Sequence, residues 1–248
     1  MVLGGQKMKK GLILLLSALL ITGCTQPDTT TTEAIPEEEV NMYDNAQFKE
    51  DYEAVNGTYD EQRKHDYIEV IVREDVPVKY GTTEDFNNAM KNKETGIYYF
   101  GFIECPWCRT LVPSLLDATA EAMETIDIEY LVYINNRATR DVKELVDGKI
   151  VTTQEGDEAY YELLDLLKDY LPAYGGLEDE SIKHLYYPTI VLLKEGEVQS
   201  FHMGTLDEQE DVWTPLTDEQ RQQLTDTILE NLMTAFNSEE GCKVGGCD

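Results

Sequence analysis

The sequence has little positive charge. Its 248 residues include 20 lysines and arginines against 49 aspartates and glutamates, so the formal net charge is −29 at pH 7. Nucleic-acid-binding surfaces need basic groups that neutralise phosphates, and we therefore expect no nucleic-acid partner. The acidity fits either a soluble, self-repelling surface near an anionic envelope or an acidic docking face for a basic partner, and it says little else about function.

Histidines are also scarce. The sequence contains only His65, His184 and His202, and none of them lies near the close cysteine pairs described below. We predict that each is a surface or strand histidine and not a metal ligand. The chain shows no internal repeat and no fingerprint for an organic cofactor, so we predict no cofactor.

The longest uncharged apolar run, in "MKKGLILLLSALLITGC", is too short for a comfortable membrane span and is typical of a secretory signal peptide. Its end, Ile21-Thr22-Gly23-Cys24, resembles the bacterial lipobox, whose cysteine is lipidated and becomes the first mature residue. The resemblance implies that Cys24 carries a lipid anchor on the outer side of a bacterial cell membrane. An ordinary cleaved signal peptide and an uncleaved anchor helix are the alternatives.

Composition divides the rest of the chain. The segment "TQPDTTTTEAIPEEEV" is rich in Thr, Pro and Glu and cannot bury enough apolar surface to fold, so we interpret it as a tether. The remaining residues are sufficient for one domain with a substantial core. The predicted organisation is a signal peptide (1–23), a flexible tether (24–40), an N-terminal extension (41–75), an α/β domain (76–238) and a cysteine-containing tail (239–248).

The five cysteines divide into Cys24 and two close pairs, Cys105/Cys108 and Cys242/Cys247. Disulfides are plausible in both pairs if the chain is exported to an oxidising compartment. The glycines of the tail would let Cys242 and Cys247 close a small ring. That ring is either a structural disulfide or a mobile shuttle that exchanges with Cys105.

Local patterns predict the elements around the first pair. The aromatic and β-branched run "IYYFGFI" predicts a buried strand, and "CRTLVPSLLDATAEAM" has apolar residues at helical spacing. The Cys-x-x-Cys pair therefore lies at a strand-to-helix junction. Elsewhere, we predict helices at 45–56, at 82–96 with a Thr cap and a Gly stop, and at 216–236, and extended segments at 66–72, 76–80 and 128–135.

The junction has chemical consequences. Free N–H groups and the positive end of the helix dipole stabilise a thiolate at the first helical turn, so Cys105 is predicted to be the nucleophile. Cys108, one turn further on, is then the resolving thiol. Pro106 suits the helix start and Trp107 offers an apolar surface over the site, and both are predicted to contact the substrate. A zinc site made from the four cysteines has suitable ligands but fits this placement less well.

At this point the chain resembles the thioredoxin family. Pro113 matches the proline that kinks the family's active-site helix, and "YYPTIVLLKEGEVQSFHMG" resembles its cis-proline segment. The resemblance implies a thioredoxin-like α/β fold, with a central mixed sheet flanked by helices and a helical insertion before the cis-proline. It also implies that Pro188 is cis and lies beside the active-site cysteines, and that the backbone of Tyr187 pairs with a bound peptide.

The sequence also departs from the family. Thioredoxins have a buried aspartate six residues before the first cysteine, and this chain has Tyr99 there. Glu104 is a candidate base that would also raise the pKa of a neighbouring thiol, and Arg109 would act in the opposite sense. The alternative, which we favour, is that Glu104 and Arg109 are simply exposed charges.

The chain is longer than ordinary thioredoxins before Pro188. We predict helices in this insertion at 137–148 and 158–176, the second with an apolar face of leucines. The insertion either caps the core or shapes a substrate groove beside Pro188.

These patterns favour a membrane-anchored, extracytoplasmic thiol-disulfide oxidoreductase. Its expected partners are cysteine-containing exported proteins or peptides, a redox partner that resets the Cys105/Cys108 pair, and the membrane through its lipid anchor. Similar exported thioredoxin-like proteins are associated with bacteriocin production and transport, so a non-catalytic accessory module for a secreted peptide is the alternative. A solute-binding lipoprotein fits the signal peptide but not the order of the motifs.

Overall fold

The computed structural model describes residues 42–237. The predictions for the signal peptide, Cys24, the tether and the Cys242/Cys247 pair lie outside these residues. Along the described chain, the helices and strands are α1 (Asn45–Glu53), β1 (Tyr59–Asp60), β2 (His65–Asp66), β3 (Val78–Gly81), α2 (Thr83–Asn92), β4 (Gly96–Phe100), α3 (Pro106–Met123), β5 (Leu131–Ile134), β6 (Val142–Val146), β7 (Lys149–Gln154), α4 (Glu158–Leu166), β8 (Thr189–Lys194), β9 (Glu197–Met203) and α5 (Asp218–Phe236).

A five-stranded mixed sheet forms the centre, in the order β3-β5-β4-β8-β9. Strands β3, β5 and β4 are parallel, whereas β8 runs antiparallel to β4 and β9 antiparallel to β8. All five residues of β4 are buried, because it is the middle strand and helices cover both faces of the sheet. The predicted α/β class, with a central mixed sheet flanked by helices, is confirmed at this level.

The two faces of the sheet have separate cores. Ile97 and Tyr99 of β4 point to the face covered by α1, α3 and α5, while Tyr98 and Phe100 point to the face covered by α2 and α4. This alternation follows from the two-residue period of a strand. It places α3, which begins with the cysteine motif, against the Tyr99 face of the central strand.

No helix in residues 42–237 is long and apolar enough to cross a membrane.

The N-terminal extension contains an extended segment without a strand partner. Residues 66–72 were predicted as a strand, but only Asp66 is in one, in the two-residue β2. Side chains supply the hydrogen bonds that a neighbouring strand would otherwise provide. The Asn56 side chain is hydrogen-bonded to both the N–H and the carbonyl of Val70, and the Glu53 carboxylate accepts a hydrogen bond from the Val72 N–H at 2.9 Å. The alternating burial is as predicted, but alternation alone cannot show whether a neighbouring strand exists.

The insertion before Pro188 is only partly helical. The predicted helix at 137–148 is wrong, because this segment contains β6, which pairs with β7 in an antiparallel hairpin. Asp147 and Gly148 form its turn with φ values of 52° and 71°, and Asp-Gly is a favoured pair for such a turn. The predicted helix at 158–176 is confirmed only over α4, and Pro172 lies beyond its end.

The helix α2 begins as predicted. Thr82 and Asp85 form a reciprocal capping box at its start, which satisfies two otherwise free N–H groups. Its predicted glycine stop is wrong: Lys93 takes the left-handed conformation with φ of 60°, and Gly96 is instead the first residue of β4.

Candidate active site

The cysteine motif lies where the chain leaves β4 and enters α3. Cys105 is the N-cap residue of α3, and its sulfur accepts a hydrogen bond from the Cys108 N–H at 3.2 Å. Pro106 occupies the first turn, where its missing N–H leaves no unpaired group. Pro113 lies inside the same helix. The junction therefore directs free backbone donors at the Cys105 sulfur.

The two cysteines are free thiols with different environments. Cys105 is 4% exposed and Cys108 is fully buried. Burial acts to raise the pKa of Cys105, but hydrogen bonds from the Cys108 side chain and from the Cys108 and Trp107 N–H groups, together with the charge of Arg63, lower it below its usual value. Burial and the neighbouring Cys105 raise the pKa of Cys108 well above its usual value. Cys105 is thus the better thiolate of the pair.

The Pro188 segment lies beside Cys105. The Tyr187–Pro188 peptide bond is cis, in agreement with the prediction. The Cys105 sulfur lies 4.0 Å from the carbonyl oxygen of Tyr187, and the Gly204 N–H donates to the Pro188 carbonyl at 2.9 Å. Residues that are 82 positions apart in sequence are therefore brought together at one end of the sheet.

An open groove runs past Trp107 and Tyr187, two of the three predicted binding residues, and Pro106 does not line it. Its volume is about 320 Å³, and Met203 and Leu206 also line it. Trp107 and Tyr187 are partly exposed, whereas Pro106 is buried. Trp107 and Tyr187 are thus available to a bound chain, and Pro106 serves the helix start.

The Tyr187 side chain is contacted by residues that the sequence did not identify as part of the site. Its hydroxyl donates to the Asn136 side-chain oxygen at 2.5 Å, and the Arg140 guanidinium lies 4.9 Å from its ring centroid. Phe102 packs edge-on against the same ring at 5.3 Å. Asn136 and Arg140 belong to no recognisable motif, so only the folded chain reveals them.

Charges from two other segments surround the junction. Arg63 pairs with Asp60 at 2.5 Å and approaches the Glu104 carbonyl oxygen at 3.5 Å. The Glu104 carboxylate pairs with Arg137 at 3.6 Å, and its side chain is 40% exposed. Arg63 was not predicted, because no local pattern connects it to Cys105.

Arg109 is not the exposed charge that we favoured. Its side chain is fully buried, and its guanidinium donates to neutral acceptors: the carbonyl oxygens of Ile68, Tyr52 and Ile103 and the side-chain oxygen of Asn56. Among the described residues, no carboxylate forms an ion pair with it within 4 Å. A planar group with five donors suits this arrangement. Arg109 therefore fastens the first turn of α3 to the N-terminal extension.

Among the described residues, none of the three histidines has a hydrogen bond or ring contact with Cys105 or Cys108. His65 stacks on Trp213 with ring centroids 4.5 Å apart, and His184 is buried with its Nδ1 3.1 Å from the Tyr160 hydroxyl. His202 lies on β9. In the part of the chain that the structure describes, no group of three or more His, Cys, Asp or Glu side chains is arranged to hold a metal ion.

Comparison with known families gives no assignment. No protein-family model matches the chain, and no curated protein matches it. The functional argument therefore depends on the residues of the site itself.

Proposed function

We propose that this chain is a thioredoxin-like thiol-disulfide oxidoreductase that exchanges disulfides with cysteine-containing exported proteins or peptides. The observation that carries the proposal is the unequal pair at the start of α3. Cys105 receives backbone hydrogen bonds and lies near the groove, while Cys108 is fully buried one turn behind it. A thiolate nucleophile with a protected second thiol is the arrangement that disulfide exchange needs.

The reaction follows from this arrangement. The Cys105 thiolate attacks one sulfur of a client disulfide, and the other client sulfur leaves with the electron pair and takes up a proton. Cys108 then loses its proton and attacks the Cys105 sulfur, which releases the second client thiol and leaves a Cys105–Cys108 disulfide. The client has gained two electrons and two protons, while the pair has lost two electrons and the Cys108 proton, and the second proton comes from solvent. In the opposite direction, the oxidised pair donates its disulfide to a dithiol client.

The Pro188 segment supports a role in client binding. The carbonyl of Tyr187 lies beside Cys105, and the groove offers Trp107, Tyr187 and Met203 as apolar contacts. An extended peptide could use the Tyr187 backbone for hydrogen bonds while its cysteine approaches Cys105. The mixed sheet and the order of the cysteine motif and the cis-proline are compatible with a thioredoxin-like fold.

The proposed location depends on the sequence alone. The signal-like run and Cys24 support a lipid anchor on the outer side of the bacterial cell membrane, which would restrict clients to the layer near the membrane. A separate redox partner would have to reset the Cys105/Cys108 pair after each cycle.

A trapping experiment tests the proposal. The full-length chain carrying Cys108→Ser should accumulate mixed disulfides with clients, because Cys105 can still attack but its neighbouring resolving thiol is gone. Cys105→Ser is the matched control and should form none. Clients bound only non-covalently by both variants would overturn the proposal and favour the accessory module for a secreted peptide.

The direction of exchange follows from the reduction potential of the Cys105/Cys108 pair. Thioredoxin, a reductant, has a value of about −270 mV, and the strong oxidant DsbA has a value of about −120 mV. Equilibration of the full-length chain in glutathione or dithiothreitol buffers, read by alkylation and mass spectrometry, gives the value. A pair that cannot be cycled would contradict the proposal.

A further inference from the structure

Two arginines lie against the aromatic rings beside Cys105. The Arg137 guanidinium is 4.7 Å from the ring centroid of Phe102, and the Arg140 guanidinium is 4.9 Å from that of Tyr187. Phe102 belongs to the same small buried cluster as Cys105, and Tyr187 packs against that cluster. Each guanidinium is therefore separated from the reacting cysteine by a single aromatic side chain.

Arg140 lacks a counter-charge in the described part of the chain. No carboxylate of residues 42–237 lies within 4 Å of its guanidinium, although the sequence has 49 acidic residues against 20 basic ones. Its buried Nε atom has no hydrogen-bond partner there either. The residue as a whole is partly exposed, so a bound molecule can approach it.

Two carboxylates of this neighbourhood are already paired with other cations. Glu104 pairs with Arg137 at 3.6 Å. Asp141, which follows Arg140 in sequence, is fully buried and pairs with Lys143. Within the described residues, Arg140 is thus a cation beside the site whose charge is left for an outside partner.

Tyr187 connects Arg140 to the groove. Its ring contacts the Arg140 guanidinium, and the same residue lines the groove next to Trp107. Asp207 also lines the groove, so the groove itself carries a negative charge, whereas the positive charge lies at the Tyr187 ring. A client chain that passes Tyr187 on its way to Cys105 comes within reach of Arg140.

We propose that Arg140 binds the carboxylate of an aspartate or glutamate within a few residues of the reactive cysteine of the client, so that the site selects clients with an acidic residue there. This inference rests on the proposed function. The planar guanidinium matches a carboxylate with two parallel hydrogen bonds. Arg137 contributes less, because its side chain is 47% exposed and already paired with Glu104.

The net charge of the chain acts against an acidic client at long range. At physiological ionic strength, however, exposed charges more than about 8 Å apart are largely screened. A direct contact with Arg140 therefore decides between two clients that have both reached the site.

Two synthetic peptides test the inference, each with one cysteine that carries a 2-thiopyridyl mixed disulfide. One peptide has glutamate at the two positions on each side of the cysteine, and the other has glutamine there. Both have acetylated and amidated ends, so that no terminal carboxylate replaces the side chain. Attack by the Cys105 thiolate of the reduced full-length chain on the peptide sulfur releases 2-thiopyridone and leaves the peptide bonded to Cys105. The absorbance of 2-thiopyridone gives the rate constant.

The measured quantity is the rate constant for the glutamate peptide divided by that for the glutamine peptide. This ratio should fall about threefold to fivefold in Arg140→Gln relative to the wild type, and by about twofold or less in Arg137→Gln. Arg140→Lys keeps the charge without the planar fork and should retain part of the ratio. If Arg140 only holds Tyr187 in place, both peptides slow equally and the ratio does not change, which would overturn the inference.

Arg221→Gln is the matched control. It removes the same charge from an exposed position on α5 that does not line the groove, so it should keep the wild-type ratio. The same fall in Arg221→Gln as in Arg140→Gln would also overturn the inference. If the wild type releases no more 2-thiopyridone from either peptide than Cys105→Ser does, the proposed function fails. If the wild type reacts with both peptides and Arg140→Gln leaves the ratio unchanged, only the role of Arg140 fails.

Discussion

The Nη1 atom of Arg109 donates to the carbonyl oxygen of Tyr52 at 2.7 Å, which joins the active-site helix to α1 in the buried interior. The same guanidinium reaches Ile68 of the unpaired extended segment. The N-terminal extension is thus part of the support of the active site, because its backbone carbonyls are the acceptors for a charge in the first turn of α3.

Arg109→Lys should destabilise the fold. A lysine keeps the charge, but its ammonium group lacks the planar, diverging N–H groups that reach four separate acceptors in the native chain. Buried carbonyl oxygens would therefore lose their hydrogen-bond donors. We expect the free energy of unfolding to fall by about 3 kcal/mol, as measured by urea denaturation of the full-length chain. Lys64→Gln is the control: its ammonium group forms only an exposed pair with Glu61, and the change should be below about 0.5 kcal/mol. Equal stability of the Arg109 and Lys64 variants would contradict this role.

Arg63→Gln should make Cys105 a weaker nucleophile near neutral pH. The charge of Arg63 contributes to the lowered pKa of Cys105, so its loss moves that pKa upward and reduces the thiolate fraction. The rate of alkylation by iodoacetamide, followed against pH, should show its midpoint shifted to higher pH. Because Arg63 is also paired with Asp60 and partly exposed, we expect a rate loss of less than about fivefold. Lys64→Gln should leave the profile in place, and a downward shift for Arg63→Gln would refute the prediction.

Asn136→Ala should weaken client binding while leaving the thiol chemistry intact. Asn136 is buried and accepts the hydrogen bond of the Tyr187 hydroxyl, so its loss frees a ring that lines the groove. We expect KM for a peptide disulfide to rise about fivefold, with an unchanged rate toward a small aromatic disulfide. Asn135→Ala is the control, since Asn135 is exposed. An equal loss of rate toward both substrates would count against a role in binding.

His184 should make the fold sensitive to mild acid. Burial, with the nearby charges of Arg140 and Lys143, lowers its pKa to about 3, although the Asp141 carboxylate lies 3.6 Å from its Nδ1, whereas a free histidine has a value of about 6.5. Below about pH 6.5, His184 is protonated in the unfolded chain but stays neutral in the folded chain. The free energy of unfolding therefore falls by up to about 1.4 kcal/mol per pH unit, until about pH 3.

Urea denaturation at a series of pH values checks this prediction. His184→Gln should show a shallower loss of stability in acid than the wild type. Identical slopes for the wild type and His184→Gln would show that His184 is not the group responsible.

Much of the candidate site was predictable from local sequence. The apolar run before Cys105, the helical spacing after it and the motif around Pro188 each lie within a few residues, and strand and helix periods and turn chemistry act over that range. The hairpin in the insertion was predictable in principle from Asp147-Gly148, but the apolar spacing before it favoured a helix.

Local sequence patterns were enough to predict the strand that leads to Cys105, the helix that follows it and the two cysteines at their junction. The burial of Arg109 and the contacts of Asn136 with Tyr187 and of Tyr52 with Tyr99 are visible only in the folded chain. These partners are 47 to 57 residues apart. Local propensity cannot specify such pairs, because they form only when packing removes each polar group from water and leaves it one available partner.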